Sequence, residues 1–242
     1  MVDLTSRQVQ ILRAVVEEYI NTAEAVGSDT IDRKFNLGVS PATIRNEMVY
    51  LTKHGYLKQL HTSAGRIPSS LAIKVYVRDL MRERDMSVAE EVTVKERIWH
   101  KRAQLGMLLQ ESTKLLAQRG HAISIAITDD QQMFVAGSAQ LLSMPEFFDI
   151  DAMRSVLTLL DEGNVLLEIF QRASTGGTPV QIVFGEDLGN RNLNSVGLIF
   201  TEFDALDRHV WLGLIGSSRF DYPYVIPMMR YFRNCITEVM NT

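Results

Sequence analysis

The chain has 242 residues, of which 46% are hydrophobic and 22% charged, and its net charge is −4 at pH 7, an ordinary balance for a globular protein. Its single cysteine, Cys235, excludes an intramolecular disulfide and fits a reducing compartment. The opening "MVDLTSRQVQ" lacks the apolar core of a signal peptide, and no stretch approaches the ~20 apolar residues of a membrane span. We therefore expect a cytoplasmic protein without membrane contact.

The charge is unevenly distributed along the chain. Residues 1–82 carry 11 Lys and Arg against 8 Asp and Glu, whereas residues 83–242 carry 14 against 21. A basic first third on an acidic remainder is expected where only one end of a protein meets an anionic partner. The length also predicts two domains. We place them at residues 1–84 and 121–242, with a connecting helix at residues 85–120.

Three short helices are predicted within the first 55 residues. Thr5 and Gln8 form a capping box, and one apolar helical face follows it. A second helix follows Gly27-Ser28. The third begins at Ser40, an N-cap residue that precedes proline, and ends at Gly55. Because a tight turn joins the second and third helices, the pattern indicates a helix-turn-helix.

A small hairpin is predicted directly after the third helix. "YLKQL" (56–60) alternates as a strand, "HTSAG" (61–65) has the composition of a turn, and "RIP" (66–68) begins a returning strand. A helix-turn-helix followed by such a hairpin predicts a winged helix.

The third helix carries the candidate base-reading residues. If Ile44, Met48 and Leu51 face the core, the opposite stripe contains Ala42, Arg45, Asn46 and Val49. Helix-turn-helix proteins place the N-terminal part of this helix in the major groove. There arginine can bond guanine, asparagine can bond adenine, and Ala or Val can contact a thymine methyl. The alternative is that Arg45 and Asn46 are simply solvated, but the predicted winged helix makes this alternative less favoured.

The surrounding residues are candidates for contacts to the DNA backbone. They are Ser40 and Thr43 at the helix start and Thr62, Ser63, Gly65 and Arg66 at the hairpin tip, with Lys53 and Lys58 adding long-range attraction. Gly65 would permit close backbone approach. The alternative for the tip is an ordinary exposed hairpin, which has the same composition.

Several of these stretches together resemble one known family. "LTSRQVQILRAVVEEYI", "VGSDTI", "LGVSPATIRNEMVYLTKHGYL" and "HTSAGRIP" are similar to the N-terminal domain of the heat-inducible transcription repressor family, HrcA. "LLSMPEF", "VQIVFGED" and "IGSSRFDYPYVIP" resemble its C-terminal half. The resemblance covers nearly the whole chain, and "SPATIRNEM" joined to "HTSAGRIP" is its most specific part.

The resemblance implies a homodimeric repressor that binds an inverted-repeat operator, the CIRCE element, upstream of chaperone operons. It implies the GroEL chaperonin as co-repressor, and a winged helix joined to a GAF-like domain that carries an inserted dimerising segment. Typical members are longer than this chain, and the shortfall lies around residues 127–134. We therefore expect the inserted segment to be absent or reduced, which bears on how the dimer is held and on the chaperonin coupling.

The remaining two thirds predict one long helix and an α+β domain. Ser87 and Glu90 form a second capping box, and no proline interrupts Val88 to Arg119. This helix either spaces two DNA-binding heads or packs on the C-terminal domain. Residues 151–172 and 223–240 are predicted to be helices, and five runs are predicted to be strands: "AISIAIT", "MFVAG", "PVQIVF", "SVGLIF" and "HVWLGLIG". This set of elements is compatible with a GAF-like fold.

No pattern in the chain predicts an enzyme or a cofactor. The five histidines show no metal-ligand spacing, and phosphate-binding glycine loops are absent. In "GSSRFDY" (216–222), no histidine is placed to activate the serines, so Arg219 and Asp221 are expected to pair or to order a turn. Besides the repressor, two alternatives remain: a regulator of other genes that senses a small ligand through the GAF-like domain, and a winged helix that contacts protein.

Overall fold

The computed structural model describes residues 4–59, 64–174 and 177–241. The chain forms two compact units. The first comprises Met1–Arg82 together with Asp221–Pro223, and the second comprises Glu83–Phe220 together with Tyr224–Thr242. Helices accompany antiparallel strands, so the α+β class is confirmed.

The first unit consists of short helices and a two-stranded sheet. Its elements are α1 (Ser6–Thr22), α2 (Ser28–Phe35), α3 (Pro41–Lys53), β1 (Leu57–Lys58), β2 (Ile67–Pro68), α4 (Ser70–Val75) and a π-helical turn at Tyr76–Leu80. The two strands pair antiparallel. The three predicted helices and the returning hairpin are therefore confirmed, although the strands are shorter than the alternating run suggested.

Local signals define the ends of these helices. The Thr5 amide donates to Gln8 Oε1 at 2.9 Å while the Gln8 amide donates to Thr5 Oγ1 at 3.3 Å, which is the predicted capping box. Ser40 caps α3, and Gly55 follows it at φ 78°, a left-handed conformation that favours glycine. Apolar side chains from all three helices and the hairpin then form one core: Ile11, Leu12, Val15, Ile31, Ile44, Met48, Leu51, Tyr56 and Leu57.

The second unit is built on an antiparallel sheet. Its strands are β3 (Ile123–Thr128), β4 (Met133–Ala136), β5 (Gln181–Phe184), β6 (Val196–Ala205) and β7 (Arg208–Ser217), in the spatial order β4-β3-β7-β6-β5. Each predicted strand run overlaps one of these strands, and β6 and β7 extend beyond their runs. The helices are α5 (Val88–Trp99), α6 (Leu105–Gly120), α7 (Ile150–Asp161), α8 (Gly163–Ala173) and, from Tyr224 onward, α9 (Tyr222–Met240). Side chains of the sheet, α7 and α8 share one core.

The single connecting helix predicted within residues 85–120 is wrong. The capping box at Ser87 is present, but α5 ends at Trp99 and a tight turn precedes α6, with the Arg102 amide donating to the Trp99 carbonyl at 3.2 Å. The segment between the helices, "HKRAQ" (100–104), is polar, so no continuous apolar face crosses it. Arg97 pairs with Glu111, so the two helices lie against each other instead of forming one rod.

The helix predicted over residues 151–172 is also interrupted. Glu162 leaves helical geometry at φ −100° and ψ 64°, and Gly163 begins α8. Glycine has low helix propensity, and the break allows the apolar residues of both helices to join the core of the sheet. Within the described part of the chain, none of the helices combines the length and the apolar character needed to cross a membrane.

Candidate nucleic-acid interface

Helix α3 has one buried and one exposed face. Ile44 and Leu51 are fully buried and Met48 is 3% exposed. The opposite face contains the four predicted base-reading residues, all exposed: Ala42, Arg45, Asn46 and Val49. Burial of one apolar stripe therefore turns a guanidinium and a carboxamide, adjacent in sequence, outward beside two small apolar side chains.

The amino end of α3 presents two hydroxyl groups. Ser40 Oγ accepts the Thr43 amide at 3.2 Å, and the two side-chain oxygens lie 3.0 Å apart. Pro41 occupies the first helical position, where its lack of an N–H costs nothing. Because helix amino ends carry partial positive charge and unpaired N–H groups, this end of α3 suits a phosphate oxygen.

The carboxylate of α3 is held away from the exposed stripe. Gln8 donates from Nε2 to Glu47 Oε2 at 3.0 Å, and an Arg7 guanidinium nitrogen lies 3.7 Å from the other Glu47 oxygen. Both partners belong to α1. The negative charge is therefore partly compensated within the unit, and its repulsion of an approaching phosphate is reduced.

A groove of about 440 Å³ lies between α2, α3 and the hairpin. Arg45 and Arg66 line it, together with Gln59 and Asp29. Arg45 Nη2 makes a long contact of 3.5 Å to the hydroxyl of Ser28, which is buried at the start of α2. The groove thus brings two guanidinium groups to one concave surface.

The hairpin residues have structural partners that sequence reasoning missed. A Cβ added at Gly65 would lie 2.5 Å from the Val26 carbonyl oxygen, so the close approach that requires glycine here is to the chain's own backbone. Arg66 is half-buried, and its Nε donates to Thr52 Oγ1 at 3.0 Å. Only the three-dimensional structure brings these residues together.

The other candidate residues lie near α3 or outside the described range. Lys53 is exposed in the last turn of α3, and Lys58 is exposed on β1. Gln59, which was not among the candidates, donates from Nε2 to the Ala64 carbonyl at 3.2 Å across the hairpin; its exposed position in the alternating strand was the available signal. Thr62 and Ser63 lie outside the described residues.

The two polar motifs of the second unit meet in one buried ion pair. Glu146 accepts the Ser217 hydroxyl at 2.8 Å and the Arg219 guanidinium, and the two charged side chains are 13% and 12% exposed. Burial alone would raise the pKa of Glu146, but the hydrogen bonds from Arg219, a backbone amide and Ser217 outweigh burial and lower it. Arg219 was expected to pair with Asp221 or to order the turn, and the structure shows that it also anchors "PEF" to the end of β7.

Cys235 is buried, and burial raises the pKa of its thiol to about 11, so the thiol stays protonated at neutral pH. Among the residues that the structure describes, no group of three His, Cys, Asp or Glu side chains could hold a metal ion.

Comparisons with known proteins agree with the sequence resemblance. The family model "HrcA protein C terminal domain" matches residues 47–226. A heat-inducible transcription repressor HrcA from Symbiobacterium thermophilum is 27% identical over 339 residues, covering 98% of each chain. Another HrcA, from Desulforamulus reducens, is 50% identical over 118 residues, or 49% of this chain and 34% of that one. A crystal structure described as a hypothetical protein superposes with a TM-score of 0.73 at 17% identity, over 98% of this chain and 97% of that one, and shares the fold.

These matches place the chain among transcription regulators and not among enzymes. It belongs to the HrcA family of heat-inducible transcription repressors, as the resemblance predicted. The alignment with the Symbiobacterium protein extends over 339 residues although this chain has 242, so that relative contains residues without a counterpart here.

Proposed function

We propose that the first unit is a winged helix-turn-helix that reads double-stranded DNA with α3. The protein would then repress chaperone genes as a homodimer bound to an inverted-repeat operator of the CIRCE type. The observation that carries this proposal is the exposed stripe of α3, with Arg45 and Asn46 at its centre.

The chemistry of this stripe supports base recognition. Arg45 would donate two hydrogen bonds to a guanine edge, and Asn46 would pair with adenine through one donor and one acceptor. Ala42 and Val49 flank them and are small enough to contact thymine methyl groups. A helix in the major groove reads only three or four base pairs with such a stripe, so two copies on an inverted repeat give the required specificity.

The candidate backbone contacts surround this stripe. Ser40 and Thr43 would bond phosphate at the amino end of α3, and Lys53 and Lys58 would attract the duplex from further away. Thr62 and Ser63 complete the proposed contact set at the hairpin, which is the wing in this proposal, and Gly65 and Arg66 follow them in sequence.

The second unit completes the proposal as a GAF-like regulatory and dimerisation domain at residues 121–242, connected to the winged helix (residues 1–84) through residues 85–120. The five-stranded antiparallel sheet flanked by helices supports it. Coupling to the GroEL chaperonin as co-repressor is supported by the family resemblance.

The test is fluorescence anisotropy with a labelled duplex that carries the inverted repeat and a scrambled duplex of equal composition, both at near-physiological salt. We expect the protein to prefer the inverted repeat by ~10³-fold or more. Arg45→Ala should lose roughly 1–3 kcal/mol of binding free energy for the repeat, and the preference at one base pair should relax.

Arg154→Ala is the matched control, because Arg154 is an exposed arginine on α7 in the second unit. It removes the same charge and should leave both affinities unchanged. Equal, weak and salt-sensitive binding to both duplexes would contradict the operator assignment, and indifference to DNA at low salt would favour a protein partner for α3.

A further inference from the structure

Arg66 joins the returning strand of the hairpin to the last turn of α3. Its Nε donates to Thr52 Oγ1 at 3.0 Å. The Thr52 hydroxyl in turn donates to the Met48 carbonyl at 2.7 Å. Because that bond uses the only hydroxyl proton, the lone pairs of Thr52 are directed to accept from Arg66.

The backbone of Arg66 is held from the opposite side. The Val26 amide donates to the Arg66 carbonyl and the Arg66 amide donates to the Val26 carbonyl, both at 2.8 Å. The neighbouring Gly65 packs against the same Val26 carbonyl too closely for any side chain. Arg66 is therefore bonded through its backbone to the segment before α2 and through its side chain to α3.

We infer that Arg66 is a positioning residue, which sets the hairpin against α3 through Thr52. This inference rests on the proposed function, because a wing can follow the DNA backbone only if its angle to the recognition helix is defined. It also changes the role expected of Arg66. Of the five N–H donors of a guanidinium, Nε bonds Thr52 and Nη1 lies 3.4 Å from the Ala64 carbonyl oxygen, so the half-buried side chain already uses donors within its own unit.

The inference gives Thr52 a part in DNA binding that its position does not suggest. Thr52 is half-buried and lies outside the exposed stripe of α3. Removing its hydroxyl deletes no charge and no group facing the groove. If Arg66 acts through Thr52, the two residues should nevertheless give the same defect.

The experiment compares Thr52→Val, which keeps the shape without the hydroxyl, with Thr52→Ser, which keeps the hydroxyl. Arg66→Met retains the aliphatic stem and removes the donor. Affinity for the inverted-repeat duplex is measured over a range of salt concentrations, and hydrogen exchange is measured at the Val26 and Arg66 amides. Melting temperatures identify any variant that does not fold.

We expect Thr52→Val and Arg66→Met each to weaken binding to the inverted-repeat duplex about tenfold, because each variant removes the charge-assisted hydrogen bond between Arg66 and Thr52. The double variant should be no weaker than either single variant, because both remove the same contact. The slope of log affinity against log salt should stay unchanged, exchange at the Arg66 amide should be faster in both variants, and Thr52→Ser should resemble the wild type.

Two results would overturn the inference. One is wild-type binding by Thr52→Val together with a salt slope that falls by ~0.9 in Arg66→Met, the mark of a direct phosphate contact. The other is equal Arg66 amide exchange in Thr52→Val and Thr52→Ser. If the wild type does not discriminate between the duplexes, the proposed function fails, and the exchange comparison alone decides whether Arg66 positions the hairpin.

Discussion

Two arginines in the two units are treated in opposite ways by the fold. In the second unit, Arg219 is 12% exposed and pairs with the equally buried Glu146. In the first unit, Arg45 is exposed on α3, and the bond described for it is a long contact to Ser28. A buried arginine paired with a carboxylate is explained by folding alone, whereas an exposed arginine beside an exposed asparagine is not required by the core. The difference separates an anchoring residue from a candidate recognition residue.

The largest expected effect comes from removing one partner of the buried ion pair between Glu146 and Arg219. Glu146→Ala leaves the Arg219 charge buried without its partner and should cost roughly 3–5 kcal/mol of unfolding free energy. Arg45→Ala should change it by less than about 0.5 kcal/mol. Urea unfolding is followed by tryptophan fluorescence for the second unit, which contains both tryptophans, Trp99 and Trp211, and by far-UV circular dichroism for the helices of the first. Equal costs for the two variants would remove the distinction between the arginines.

The same pair predicts how stability depends on pH. The pKa of Glu146 is lowered from its ordinary value of 4.5. The ionised Glu146 carboxylate should therefore contribute fully to the free energy of unfolding above that value. This contribution should be lost as the pH falls through the lower pKa of the folded state. The urea midpoint of the wild type should decrease as the pH is lowered below 4.5. Glu146→Gln should have a lower midpoint at neutral pH, and its midpoint should change less with pH in the acid range. Parallel curves for the two proteins would show that Glu146 does not contribute this acid dependence.

A smaller effect is expected at Ser40, where two substitutions distinguish the stability of α3 from its proposed contact with phosphate. Ser40→Ala removes the N-cap and should cost ~1 kcal/mol of stability, whereas Ser40→Asp retains a capping oxygen and should not. The new carboxylate should repel phosphate, so Ser40→Asp should weaken duplex binding while the melting temperature holds. Far-UV circular dichroism and anisotropy measure the two quantities. Unchanged binding by Ser40→Asp would place the amino end of α3 away from the DNA backbone.

The smallest effect concerns long-range attraction. Lys53→Ala should weaken binding to the inverted-repeat and scrambled duplexes alike and reduce the salt slope by less than the ~0.9 of a direct phosphate contact. Lys114→Ala, which removes an exposed lysine from α6 in the second unit, serves as control. A loss confined to the inverted repeat would instead make Lys53 a base-reading residue.

Local features of the first unit were predicted well. The capping box at Thr5, the cap at Ser40 and the turn at Gly55 depend on residues within a few positions of each other, so the sequence displays them directly. The two faces of α3 follow from a 3.6-residue period. The four candidates on its exposed face could therefore be named from the spacing of its apolar residues.

Non-local features were not predictable in the same way. The interruptions after Trp99 and at Glu162 have local signals, a polar segment and a glycine, but each signal is weak and whether the helix ends there also depends on packing. Arg219 finds Glu146 at 73 positions' separation, a contact that no short pattern encodes. At Gly65, the composition of the turn did not indicate the contact that the structure shows, which is with the Val26 carbonyl.

The sequence by itself determined the family, the α+β class, the ends of the first three helices and the exposed face of α3, because short-range hydrogen bonds and apolar periodicity are written in neighbouring residues. Only the tertiary structure decided which polar side chains form hydrogen bonds and ion pairs within the protein. Glu146 and Arg219 are buried together, Arg66 is bonded to Thr52, and Arg45 is left at the surface. The physical reason is that a buried charge or donor needs a partner, and that partner is supplied by packing between segments distant in the chain.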